Sequence, residues 1–236
     1  YSISTAFSGN TIYGFNTNIL SSKSYIFSNF IELIDSTAFT IVDGSGTDTL
    51  DLSGLTNDNS IDLRPTQKNL TTLYASDIAG DIGNLVFASG TIIENCIGGS
   101  GFDYITGNSA SNCLEGGDGD DTLIGGEGND TLDGGNGADV ALFSGDFSDY
   151  SFSLRDGSLV VSDERSGEPD GTALLQNILL VEFEDEVQFA TTLMNDAEEE
   201  EEEEEEEDSG DGSAPTHLTL SSLSFNENIE TGLIVA

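Results

Sequence analysis

Residues 98–142 read GGSGFDYIT, GNSASNCLE, GGDGDDTLI, GGEGNDTLD and GGNGADVAL, five nine-residue units beginning at Gly98, Gly107, Gly116, Gly125 and Gly134 without insertion. Repetition at a fixed period marks a repeat architecture in which each unit is one structural step. The first six positions of a unit suit a turn and the last three a short strand. Glycine at positions one, two and four permits backbone conformations that a side chain blocks, and leaves carbonyl oxygens free to face a hard cation. Position six is Asp103, Asn112, Asp121, Asp130 and Asp139; position eight is apolar throughout, as Ile105, Leu114, Leu123, Leu132 and Ala141.

Two units complete one coil of 18 residues, so alternate units fall on opposite edges. Asp103, Asp121 and Asp139 then stack on one edge, and Asn112 and Asp130 on the other. Strands in neighbouring coils lie about 4.8 Å apart. Two bare carboxylates at that spacing repel by roughly 3 kcal/mol at an effective dielectric of about 20. One apolar residue per nine buries too little surface to absorb this several times over. The expectation is a roll that folds when Ca²⁺ fills its turns, with binding and folding as one event. The expected fold is all-β, a parallel β-roll flanked by β-strand and hairpin segments. Asn-Gly and Asp-Gly hairpins in a plain β-sandwich would not require Gly-Gly-x-Gly-x-Asp in phase.

Composition narrows the function. Among 236 residues, 45 Asp plus Glu face 5 Lys plus Arg, a formal net charge of −40. Such a surface repels phosphate backbones and anionic lipid, so nucleic acid and membrane insertion are not expected. The lone histidine, His217, excludes a His-based zinc site or a Ser-His-Asp triad within these residues. No catalytic centre is expected. The two cysteines, Cys96 and Cys113, fall at positions eight and seven of the repeat frame, inward and outward, and read as free thiols. The opening at Tyr1 and the stop at Ala236 in mid-pattern lead to the expectation of a longer parent chain.

Upstream of the array, Thr11 to Phe15, Phe39 to Val42, Leu85 to Ala88 and Thr91 to Ile93 read as short strands; KSYIFSNFIELI (23–34) suits strand or helix. Downstream, residues 143–193 alternate apolar and polar around Arg155-Asp156-Gly157, a hairpin signature and the expected end segment of the roll. Residues 194–214, with ten glutamates at 198–207, read as an extended acidic linker. Residues 215–236 begin a further β pattern.

The nonapeptides resemble the RTX (hemolysin-type) calcium-binding repeat, with 107–115 degenerate. SGNTIYGFN (8–16), DGSGTDTLDLSG (43–54), GNLV (83–86) and IENCIGG (93–99) extend the likeness. Together, residues 8–142 resemble the C-terminal domain of serralysin-type metalloproteases. The resemblance implies calcium sites built from positions two, four and six of one unit and one, three and six of the unit 18 residues on. One would take Gly99, Gly101, Asp103, Gly116, Asp118 and Asp121. A second would take Gly117, Gly119, Asp121, Gly134, Asn136 and Asp139. A third, on the other edge, would take Asn108, Ala110, Asn112, Gly125, Glu127 and Asp130, weakened by the missing charge at Asn112. Upstream it implies ions held by Phe7, Gly9 and Thr11 with Asp43, Ser45 and Asp48, and by Gly46, Asp48, Ile92 and Glu94.

It also implies a secreted, extracellular protein exported through a type I secretion apparatus. A protease domain would lie before Tyr1, and zinc would belong only to that domain. DGTALLQNI (170–178) with VEFED (181–185) is similar to the segment that closes RTX rolls elsewhere. The end of the chain, around Phe225-Asn226-Glu227-Asn228, is similar to the first strand of a cadherin-like repeat. That leaves an alternative parent, a large calcium-dependent adhesin in which the roll is a stalk module.

Overall fold

The computed structural model describes residues 9–18, 39–67, 74–167 and 169–208. Phe7, the 23–34 segment and everything from 209 onward, His217 and the cadherin-like stretch included, lie outside the described residues. Upstream of the array run β1 (Ile12–Gly14), β2 (Phe39–Ile41), β3 (Thr49–Asp51), β4 (Asn59–Asp62), β5 (Ala75–Ile78), β6 (Asp81–Phe87) and β7 (Asn95–Ile97). The array supplies β8 (Asp103–Thr106), β9 (Cys113–Asp118), β10 (Thr122–Ile124), β11 (Asn129–Asn136) and β12 (Val140–Leu142). After it come β13 (Tyr150–Arg155), β14 (Ser158–Asp163), β15 (Thr172–Gln176), β16 (Leu180–Glu182), β17 (Val187–Phe189) and a helix, α1 (Ala190–Asp208).

Two sheets face each other across a thin core. Among the described residues one runs β1-β3-β7-β9-β11-β15-β14-β13 and the other β17-β16-β12-β10-β8-β4-β5-β6-β2. Successive array strands alternate between the sheets and pair in parallel with the strand one coil away: Leu123 with Ile105, and Leu132 with Leu114. The offset is the 18 residues expected from two nonapeptides. All five position-eight side chains are fully buried. Ile105, Leu123 and Ala141 stack in one sheet and Leu114 and Leu132 in the other, which is why a single apolar residue per unit suffices to define an inside.

The roll does not start at Gly98. Leu50 stacks on Cys96 and Cys96 on Leu114, while Ile61 pairs with Ile105, so β3, β7 and β4 are earlier rungs of the same coil. Nor does it stop at Leu142. β15 and β16 add one more rung to each sheet, after which β14, β13 and β17 run antiparallel and end the winding. The β13–β14 hairpin turns at Asp156-Gly157, both at positive φ (53° and 78°), as its Asp-Gly signature predicts.

Two expectations are corrected. Thr91 to Ile93 is not a strand: Thr91 and Ile93 are buried and Ile92 is exposed, but the segment joins no sheet. The acidic tract is helical rather than extended as far as Asp208. Ala190, Leu193 and Ala197, spaced three and four apart, are buried and anchor the first two turns, and glutamate is a good helix former beyond them. No helix among the described residues is long and apolar enough to cross a membrane.

Candidate metal centre

Along one edge the position-six side chains make a ladder. The backbone N–H of Asp103 donates to Asp121 Oδ1 (2.7 Å) and that of Asp121 to Asp139 Oδ1 (2.8 Å). On the other edge the N–H of Asn112 donates to Asp130 Oδ1 (2.8 Å). The coils stack closely enough that a Cβ on Gly119, whose φ is +129°, would lie 2.1 Å from the Gly101 carbonyl oxygen. Only glycine fits there, and it keeps those carbonyls at the edge.

The second carboxylate oxygen is the anomaly. Oδ2 of Asp121, Asp130 and Asp139 is buried and has no hydrogen-bond partner. A buried polar atom left unpaired costs about 1–3 kcal/mol, more when charged. Burial pushes the Asp121 and Asp130 carboxyls up to about 7, and raises that of Asp139 as well. Three orphaned oxygens along two edges fit a hard divalent cation, one for each of the three array sites that the family resemblance implies. Of the other candidate ligands, Gly116, Gly117 and Asp118 stand at the end of β9 and Gly134 and Asn136 at the end of β11, while Gly99, Gly101, Asn108, Ala110, Gly125 and Glu127 lie in the connections between strands. No cluster of three acidic, cysteine or histidine side chains forms among the described residues. Any cation would therefore depend on one or two carboxylates plus backbone carbonyls.

Two candidate ligands are otherwise engaged. Asn112 Oδ1 accepts from the N–H of Asn108 (2.8 Å), and its Nδ2 donates to Ile93 O and Glu94 O (3.1 and 2.9 Å). Asp118 is exposed, with its Oδ1 accepting from Asn136 Nδ2 (2.8 Å). Upstream, the structure gathers most of the residues of the two other candidate sites, while the Ile92 side chain is exposed. Thr11 N–H donates to Asp48 Oδ1 (2.7 Å), Asp48 N–H to Glu94 Oε2 (2.7 Å), and Ser45 N–H to Asp43 Oδ1 (3.0 Å). Gly9 N–H donates to Ser45 O (2.7 Å), and a Cβ on Gly46 would meet the Gly9 backbone at 2.6 Å. Tyr13 OH donates a short hydrogen bond to Asp43 Oδ2, and burial raises the Asp48 carboxyl to about 6. Asp48 and Glu94 thus continue the ladder that Asn112 and Asp130 occupy; Glu94 keeps the 18-residue step to Asn112, but the 46 residues between Asp48 and Glu94 hide the rest in sequence.

Past the array sits an ion cluster that the repeat frame did not reveal. Arg165 bonds Asp163 Oδ2 and Asp170 Oδ2 (both 2.8 Å), Tyr150 OH (2.9 Å) and Ser144 Oγ (3.1 Å). It ties the hairpin to the loop entering β15.

A family model described as Peptidase M10 serralysin C terminal matches residues 3–211. The chain belongs to that family. Within it, the chain is similar to Metalloprotease AprA of Pseudomonas entomophila (strain L48), at 43% identity over 102 residues, covering 43% of this chain and 19% of that protein. Serralysin B of Dickeya chrysanthemi is 41% identical over 101 residues, covering 43% and 19%. Serralysin of Photorhabdus luminescens is 40% identical over 98 residues, covering 42% and 18%. The chain spans about a fifth of the length of the curated relatives it matches. The serralysin C-terminal domain is the non-catalytic part of such proteases, so this chain carries no catalysis of its own.

Proposed function

We propose that this chain is a calcium-folded secretion and stability module of a secreted, extracellular multidomain protein, standing C-terminal to a zinc metalloprotease domain. The orphaned Oδ2 atoms of Asp121, Asp130 and Asp139 carry the reading, because a fold that buries three unpaired carboxylate oxygens needs positive charge beside them. Calcium would supply that charge and accept the carbonyl oxygens of the glycine turns. The remaining work is done by the chain. The position-six carboxylates repel one another until they are ligated, which keeps the array open in a low-calcium cytosol and able to thread a type I secretion apparatus. Outside the cell, sites of the extracellular class fill at about 10⁻⁴–10⁻³ M and the coils close. The matched relatives are named as proteases, which favours a protease parent over an adhesin stalk.

Circular dichroism of the chain in chelator and in millimolar CaCl₂ tests the module directly. A large gain of β signal with calcium is expected; identical spectra would sink the reading.

A further inference from the structure

We propose that Asn59 and Asn112 are built-in substitutes for calcium, closing one junction of the coil without metal while the junctions below it require metal. The inference rests on the calcium reading of the array and divides it into two kinds of rung.

Asn59 stands one coil above Asp103, at the place where the ladder would otherwise carry another carboxylate. Its N–H and its Nδ2 both donate to Asp103 Oδ1 (2.9 and 2.7 Å), and Nδ2 also donates to Asn57 O (2.8 Å). Its own Oδ1 accepts from Ala79 N–H (2.8 Å). With Gly99 N–H on Oδ2 (2.6 Å), the Asp103 carboxylate has donors on both oxygens. Asp121, Asp130 and Asp139 each lack one. On the opposite edge Asn112 Nδ2 faces the carbonyls of Ile93 and Glu94, joined by Asn108 Nδ2 on Ile93 O (2.7 Å).

Carbonyl and carboxylate oxygens are what a hard cation collects. At these two places an NH₂ group, a neutral donor of two hydrogen bonds, collects them instead. The two asparagine contacts lie at opposite edges of the same junction, where the turns at 98–103 and 107–112 sit on the coil above. The seam between the upstream strands and the array is therefore satisfied internally on both sides. The upstream strands and the first coil of the array should remain assembled when calcium is withdrawn, giving the lower coils a surface on which to stack.

Amide hydrogen exchange on the whole 236-residue chain, resolved to single residues in chelator and in millimolar CaCl₂, separates the possibilities. Leu63 N–H bonds Thr106 O and Cys113 N–H bonds Glu94 O, both across the asparagine seam. Gly107 N–H bonds Ile124 O and Thr131 N–H bonds Asn112 O, both across the next junctions down. In chelator Leu63 and Cys113 should exchange roughly 100-fold slower than Gly107 and Thr131, with calcium erasing the difference. If all four exchange freely in chelator and are protected by calcium, the seam is metal-dependent and the inference fails while the calcium reading stands. If all four are protected in chelator, the calcium reading itself fails and takes the inference with it. Asn112→Asp should make Cys113 protection depend on calcium, whereas Asn112→Ala should lose it under both conditions. Unchanged protection in chelator for Asn112→Asp would overturn the role given to the amide.

Discussion

The backbone N–H of Asp121 donates to Oδ1 of Asp139, its counterpart 18 residues later, while Oδ2 of the same Asp139 carboxylate is buried and meets no donor. The carboxylates of Asp121, Asp130 and Asp139 are thus each half committed to holding a neighbour and half held in reserve. Neutralising one should separate the two halves. Asp121→Asn is expected to raise the calcium midpoint for folding about tenfold, equivalent to about 1.4 kcal/mol. It should also leave more β structure in chelator than the parent chain shows. A calcium titration followed by circular dichroism reads both, and an unmoved midpoint would count against Asp121 as a ligand.

Acid should partly replace calcium. The buried carboxyls of Asp121 and Asp130 reach about 7 in the metal-free fold, well above the value of about 3.9 in an unfolded chain. The fold therefore holds more protons than the unfolded chain. Its stability is full below about pH 4 and is lost as the pH rises through about 7. The metal-free chain should show more β structure at pH 5 than at pH 8. In saturating calcium the trend should vanish or reverse, since ligation requires the ionised form. A flat metal-free profile would remove the burial argument.

Close stacking predicts a contrast between two glycines. Gly119→Ala puts a methyl 2.1 Å from the Gly101 carbonyl oxygen, at a φ that L-residues avoid, and should abolish calcium-dependent folding of the lower coils. Gly157→Ala, also at positive φ but with nothing within 4 Å, should cost only about 1–2 kcal/mol. Thermal melts in calcium distinguish them. Equal losses would mean that backbone conformation, not coil contact, decides.

The segment after the array depends on one guanidinium. Arg165→Ala leaves the buried carboxylates of Asp163 and Asp170 facing each other without their cation, and is expected to cost about 3 kcal/mol. Arg165→Lys keeps the charge but cannot reach two carboxylates, a phenol and a hydroxyl at once, and should recover only part. Denaturant unfolding at fixed calcium gives both values.

The array was legible because its chemistry repeats. Position eight of every unit is buried and position six lies on the edge to which its register assigns it. Upstream, the same coil is built from strands of three or four residues with one buried apolar side chain each, such as Leu50 and Ile61. One apolar residue per strand leaves no period to detect. Family likeness named Asp48 and Glu94 as ion ligands, but their place in the ladder came only with the structure. Asn112 was legible as a missing charge, but its role as a donor to Ile93 and Glu94 was not, because those acceptors are backbone atoms. The helix could have been found. Ala190, Leu193 and Ala197 carry a helical spacing, outweighed in the reading by the repulsion of the glutamates that follow.

A winding made of like steps has no internal reason to stop, and a bare final rung would offer its open N–H and C=O groups to the first rung of another molecule. Here β13 pairs antiparallel to β14, and β17 to β16, so the direction of the chain reverses at that face in both sheets. The parallel register of the roll is interrupted there. Whatever orders the coil, its winding ends at these reversed strands.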